Sequence, residues 1–203
     1  MGLYNKYILP RIINTAMKSR EMEKIRRQLI PMASGKVIEA GIGSGLNLPF
    51  YNSETEVLGI DPSEELQEYA REVARETGTR VEFLAQTSEE IPVPDNEFDT
   101  AVVTWSLCTI PEPERTLAEL RRVLKPGGQL IFAEHGRSPE PGVSRWQDRI
   151  NPVWRVIGGG CNLNREPGAL IEQAGFQFTD KSEGYIPGPK FATWTVRGRA
   201  IAP

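Results

Sequence analysis

The run KVIEAGIGSGLN, residues 36–47, constrains the fold of this chain more than any other stretch. A short β-branched segment ends at an acid and is followed by Gly41, Gly43 and Gly45 at alternate positions. Such a segment reads as a buried strand that turns sharply at its end. Glycines in the turn accept positive φ and, lacking Cβ, let a ligand press against the backbone. The dinucleotide spacing G-x-G-x-x-G is not met, because position 46 is Leu; the pattern is E-x-G-x-G-x-G. A tight loop with no ligand uses the same glycines, so the turn needs a second signal.

Asp61 supplies it. The residue closes a second strand-like run, EVLGID, where a carboxylate can accept both hydroxyls of a ribose, although DPSEE also suits a helix-capping Asp. Together the two units point to an adenosine-containing ligand, of the kind used by a dehydrogenase or a methyltransferase. RVEFLAQ, FDTAVVTW and GQLIFAEH read as further strands. PSEELQEYAREVARETG reads as a helix begun by Ser63 and stopped by Gly78, and EPERTLAELRRVLKPGG as a helix closed by Lys125 and PGG. GLNLPFY holds only a short helix because Pro49 sits inside it. Residues 3–30 suit one or two helices, with Pro10 starting the second. This alternation predicts an α/β fold with a parallel sheet, helices on both faces, and the strands' C-terminal ends on one edge. Past residue 136 a Pro- and Gly-rich stretch breaks the rhythm; PGALIEQAGF suits a short helix and FATWTVRGRAI a terminal strand.

The 24 Lys and Arg against 27 Asp and Glu leave no field that would collect nucleic acid or an anionic membrane. Cys108 and Cys161 match no zinc spacing, so no metal is expected and both read as buried free thiols. No signal peptide and no apolar run of roughly 20 residues is found, and with two unpaired cysteines the reducing cytoplasm is the expected compartment. One domain is expected over residues 1–203: a helical lid (1–30), a cofactor-binding core (31–136), and acceptor-side loops with the final strands (137–203).

VIEAGIGSG, LGIDPS, EEIPVPDNEFDTAVVTWSLCTI and ELRRVLKPGGQLIFAEHG resemble, in order and spacing, the motifs of class I S-adenosylmethionine-dependent methyltransferases across residues 36–136. The resemblance implies a Rossmann-like fold whose mostly parallel seven-stranded sheet has its last strand antiparallel, and S-adenosyl-L-methionine as cofactor. It implies that Gly41, Gly43 and Gly45 hold the methionine part, that Glu39 lies near its ammonium and that Asp61 holds the ribose. Asn47, Pro62, Thr104 and Trp105 complete the implied cofactor site. Many members carry an Asp after the third strand for the adenine; this chain has AQTSEE, which leaves Thr87, Ser88 or backbone groups for that task. Trp105 either lies against the adenine or sulfonium or packs in the core.

GSGLNLPFY, SLCTI and EHG, with Trp146, Gln147, Pro152, Trp154, Gly160, Cys161, Asn162, Leu163 and Arg165, resemble the alkyl-thiol S-methyltransferases and their bacterial relatives. A looser likeness is to quinone-biosynthesis C-methyltransferases. The implied acceptor is a small, apolar molecule, with a thiol leading; a quinone precursor, a phospholipid amine and a non-catalytic cofactor sensor are the alternatives. The longer apolar anchor of the animal members is not matched, so membrane contact is not predicted. His135, the one histidine, is placed either as a general base or as a support for loop 137–165. Glu134 would orient it or pair with Arg165. The basic residues Arg11, Lys18, Arg20, Lys24, Arg26 and Arg27 read as a solvated helix face or a lid. Trp146, Ile150, Trp154 and Val156, with the IPGPKF rim, supply an apolar acceptor side.

Overall fold

The computed structural model describes residues 14, 15 and 17–203; the readings for Pro10, Arg11 and the rest of residues 1–13 lie outside them. Helix α1 (Arg20–Leu29) is capped by Ser19, which accepts from Met22 N. Then follow β1 (Lys36–Ala40), a 3-10 turn (Leu48–Phe50), β2 (Glu56–Ile60), α2 (Glu64–Thr77), β3 (Arg80–Leu84), β4 (Phe98–Thr104), α3 (Pro113–Val123) and β5 (Leu124–His135). The chain continues through α4 (Pro141–Ile157), α5 (Pro167–Gln173), β6 (Gln177–Tyr185), the short α6 (Lys190–Thr193) and β7 (Trp194–Ile201).

The seven strands form one sheet in the order β3-β2-β1-β4-β5-β7-β6. All pairs from β3 to β5 are parallel, while β7 runs antiparallel to both β5 and β6. Both faces of the central strands are buried, as expected when apolar residues run on without alternating. Ile38, Ala40, Val103, Leu130 and Phe132 pack on one side with Leu117 and Leu120 of α3 and Ile171 of α5. Val37, Val57, Val102, Ile131 and Ala133 pack on the other with Ile25 and Leu29 of α1 and Ala70 of α2. Full burial of side chains this size contributes about 1.5–3 kcal/mol each, which is what holds the sheet between its two helical layers. The caps of α2 follow the sequence: Ser63 Oγ accepts from Leu66 N, and Gly78 ends the helix at φ 71°.

Three expectations change. Helix α3 stops at Val123, and LKPGG belongs to β5, which joins β4 through a register shift between Phe98 and Thr100. The region read as a break contains the 17-residue helix α4, with Pro141 in its first turn, where no N–H is needed, and Pro152 inside. What overrides the composition is Gln147. Fully buried, it donates to the carbonyls of Gly136 (3.1 Å), Leu163 (3.0 Å) and Phe191 (2.9 Å) and accepts from Ser138 N (2.9 Å). The seventh strand, β6, is a largely exposed edge without the alternation that would mark it. Among the described residues no helix is long and apolar enough to cross a membrane.

Candidate functional site

The C-terminal ends of β1, β2, β4 and β5 share one edge, and the glycine turn leaves β1 there. Gly41 (φ 73°) lies so close to β4 that a Cβ would fall 2.2 Å from Ser106 Oγ. Gly45 (φ 74°) is pressed against α2, where a Cβ would meet Ala70 Cα at 2.9 Å. Gly43 (φ 53°) differs, for among the described residues beyond its chain neighbours a Cβ there would meet no atom nearer than Gly41 O at 3.9 Å. Two of the glycines thus serve packing, while at the third a Cβ would only reach ordinary contact distance, so its backbone is the least crowded of the three. Asp61 bridges the turn and the start of α2: Oδ2 accepts from Gly43 N and Oδ1 from Ser63 N, both at 2.9 Å. Each oxygen keeps a lone pair for a further donor. Burial raises the pKa of this carboxyl against both backbone donors. Pro62 is exposed beside it.

Behind the turn, Glu39 is 1% exposed and fully engaged. Its Oε1 accepts from Asn47 Nδ2 (2.8 Å) and its Oε2 from Tyr51 Oη (2.7 Å). Asn47 Nδ2 also donates to Thr104 Oγ1 (3.0 Å), and Asn47 Oδ1 accepts from Arg26 Nε (3.1 Å). Burial pushes Glu39 up to about 7, opposed by Tyr51, Asn47 and Arg26, and pushes Arg26 down to about 10. Glu39, Asn47 and Thr104 therefore brace the turn from inside. Of the two expectations for the basic residues, a solvated face or a lid, Arg26 departs from the first because it is buried; the available signal is its place between Met22, Ile25 and Leu29 on the apolar side of α1.

Trp105 sits directly after β4 at φ 49°, a region where a bulky side chain is strained. Its N–H donates to Ala133 O (2.7 Å), and its buried Nε1 has no partner among the described residues. Of the two adenine candidates, Thr87 is exposed and Ser88 is buried, its hydroxyl hydrogen-bonded to Thr116 Oγ1 (3.0 Å).

On the other side of β4, Glu134 Oε1 accepts from the backbone N–H groups of Ser106 (2.9 Å) and Leu107 (3.2 Å). Its Oε2 is buried without a partner among the described residues, and burial pushes the carboxyl up to about 7. The expected pair with Arg165 does not form. Arg165 instead donates to the carbonyls of Leu107, Ile110 and Pro111, because the turn after β4 leaves those acceptors facing it. His135 Nε2 lies 3.2 Å from Cys161 Sγ, while its buried Nδ1 has no partner among the described residues. Cys108 joins them, and the three ligand-type atoms lie within 4.8 Å of one another. Sequence spacing carried no sign of this trio, which only the fold assembles. Cys108 and burial together raise the pKa of the Cys161 thiol. Nearby, Trp154 packs edge-on to Phe191 (5.6 Å), while Trp146 and Val156 are exposed.

A left-handed glycine with room beside its backbone, a buried acid with free lone pairs and a strained tryptophan on one edge fit a nucleoside-linked cofactor, and comparisons with known proteins agree. A methyltransferase domain family matches residues 38–132. The human Thiol S-methyltransferase TMT1B is 34% identical over 174 residues, covering 80% of this chain and 71% of its own. Phosphatidylethanolamine N-methyltransferase of Cereibacter sphaeroides is 39% identical over 103 residues, about half of each chain (50% and 51%). The crystal structure of a SAM-dependent methyltransferase from Thermotoga maritima shares the fold with TM-score 0.68, at 23% identity over 98% of this chain and 100% of that one. From the sheet order, the turn and these relatives, the chain belongs to the class I methyltransferases that use S-adenosyl-L-methionine.

Proposed function

We propose that this methyltransferase acts on a small apolar thiol. The observation that carries the reading is the placement of His135 at the end of β5, half-buried on the same sheet edge as Gly43 and Asp61. The likeness to a thiol S-methyltransferase over most of the chain supports the choice of acceptor. When bound, the cofactor would supply a sulfonium-bound methyl group for in-line transfer to an aligned nucleophile, its sulfur leaving as a neutral thioether.

The chain's own residues then have distinct tasks. Gly43 gives its backbone to the methionine part, and Asp61, through its remaining lone pairs, holds the ribose. Glu39, Asn47 and Thr104 keep the turn in shape. Trp105 walls the site, and Thr87 or backbone groups near it take the adenine, since the Ser88 hydroxyl already meets Thr116. Helix α1 closes over the turn through Arg26, the lid of the domain. A thiol must lose its proton before it is a good nucleophile, and His135 assists that loss. Positioning of this kind is worth roughly 7–11 kcal/mol of barrier in well-aligned reactions.

The test is a panel of alkyl thiols, a demethylated quinol and phosphatidylethanolamine vesicles, each incubated with the chain and the cofactor and read for the mass of one added methyl. Methylated thiol is the expected result. The half-length likeness to a phosphatidylethanolamine N-methyltransferase favours the vesicles as second reading. Methylation of lipid or quinol alone overturns the thiol. Cofactor binding by calorimetry with no acceptor methylated would instead mark a sensor.

A further inference from the structure

We propose that Cys108, His135 and Cys161 bind one thiophilic divalent cation of the zinc class, leaving a fourth position for the sulfur of the acceptor. The fourth-position claim rests on the thiol reading above; the three-ligand site does not.

The donor set is two sulfurs and one imidazole nitrogen, the soft combination that selects zinc-like ions, and three protein ligands with one open position mark catalytic rather than structural sites. A tetrahedral centre with bonds of about 2.0–2.3 Å holds its ligand atoms roughly 3.5–3.8 Å apart. Here Nε2 and Cys161 Sγ are 3.2 Å apart, and one donor atom from each of the three residues lies within 4.8 Å of the others, close to the spacing a bound cation imposes. Each donor is held by its own scaffold. His135 stands at the end of β5, paired with Thr195 of β7. The carbonyl of Cys108 accepts from Asn162 N (2.8 Å) and Asn162 Nδ2 (2.9 Å), which fastens the two cysteine segments together. Gly159 and Gly160, at φ 63° and 96°, let the chain fold back to present Cys161.

Charge supports the same assignment. Two thiolates neutralise a dication, and on binding it the two cysteines release their protons. An acceptor thiol taking the fourth position releases its proton to solvent, and its cation-held thiolate is the nucleophile of the displacement; the neutral thioether formed is a weaker ligand and departs. His135 thus assists proton loss as a ligand through Nε2.

Cobalt(II), then zinc(II), titrated into the full chain kept reduced with a phosphine, tests this. One equivalent of cobalt should give a thiolate charge-transfer band and tetrahedral d–d absorption, both erased by zinc. Cys108→Ser and Cys161→Ser should lose the band with unchanged far-ultraviolet dichroism, and His135→Gln should weaken binding about tenfold or more. An added alkyl thiol should strengthen the band as a further sulfur enters. No band, or a band that persists in both serine variants, overturns the site, as does a Cys108–Cys161 disulfide that, once reduced, still takes up no cation. A band unchanged by thiol overturns the fourth position alone. If the acceptor panel yields no methylated thiol while the cobalt results hold, the thiol reading falls and the cation site stands.

Discussion

The guanidinium of Arg26 lies 4.7 Å from the centroid of the Trp105 ring and donates to Asn47 Oδ1 at 3.1 Å. One side chain from α1 therefore touches both the strained end of β4 and the network that braces the glycine turn. Arg26 also donates to Met17 O (2.8 Å), so it fastens the approach to α1 as well.

Replacing Arg26 with Met keeps much of the stem but leaves Asn47 Oδ1 buried without a donor. An unsatisfied buried group costs about 1–3 kcal/mol. Urea unfolding should show a loss of that size with an unchanged slope, together with weaker cofactor binding. A loss below about 0.5 kcal/mol, the range of ordinary surface changes, would mean the bridge contributes little.

Gly43→Ala and Gly45→Ala should separate ligand space from packing space. Both substitutions force a left-handed backbone, at roughly 1–2 kcal/mol. Gly45→Ala adds a clash with Ala70 Cα at 2.9 Å and should be the more destabilising, read by thermal melting without ligand. Gly43→Ala should fold nearly as well as its backbone allows yet lose cofactor affinity in calorimetry. Normal affinity in that variant would remove Gly43 from the site.

Asp61→Asn should weaken cofactor binding by about 1.5–3 kcal/mol, the worth of hydrogen bonds to a charged group. The amide also turns a donor toward Gly43 N or Ser63 N, so the turn loosens. Titration calorimetry reads the effect, and an affinity within a few-fold of the parent chain would rule Asp61 out as the ribose ligand.

Glu134 gives a pH prediction. Its folded pKa of about 7 lies above its ordinary 4.5, so between those values the folded chain binds more protons than the unfolded one. Stability contributed by the neutral acid is complete below about pH 4.5, falls as pH rises to about 7 and is level beyond, a loss on the order of 3 kcal/mol. Glu39 adds a similar slope from the same cause. Glu134→Gln keeps an acceptor for Ser106 and Leu107 and should visibly flatten the slope in denaturant midpoints measured from pH 4.5 to 8, leaving the part due to Glu39 and Asp61. An unchanged slope would show that the carboxyl is solvated.

The core was legible wherever the signals are local. Strand runs, the Ser63 cap, the Gly78 stop and the glycine turn each act within a few residues, and the structure keeps all of them. Helix α4 was hidden because its stability lies in Gln147 reaching three distant carbonyls. Arg26 looked solvated because charge alone says nothing of a guanidinium laid on an indole. Cys108 and Cys161 sit in two separate loops and His135 at the end of β5, so no spacing rule could join them.

The position of β7 has a consequence for how the molecule breathes. Because β6 reaches the sheet only through β7, the hairpin can come away as one unit by opening the seam between β7 and β5 together with the side-chain ties of Ser138 to Tyr185 and Gln147 to Phe191. His135 borders that seam opposite Thr195, whereas Gly43 and Asp61 stand two and three strands away. Excursions of the hairpin would disorder the part of the edge at His135, the proposed acceptor side, and leave the part at Gly43 and Asp61 intact. Amide hydrogen exchange should then be fastest across β6 and β7, in a species that still retains its cofactor but has lost its chemistry.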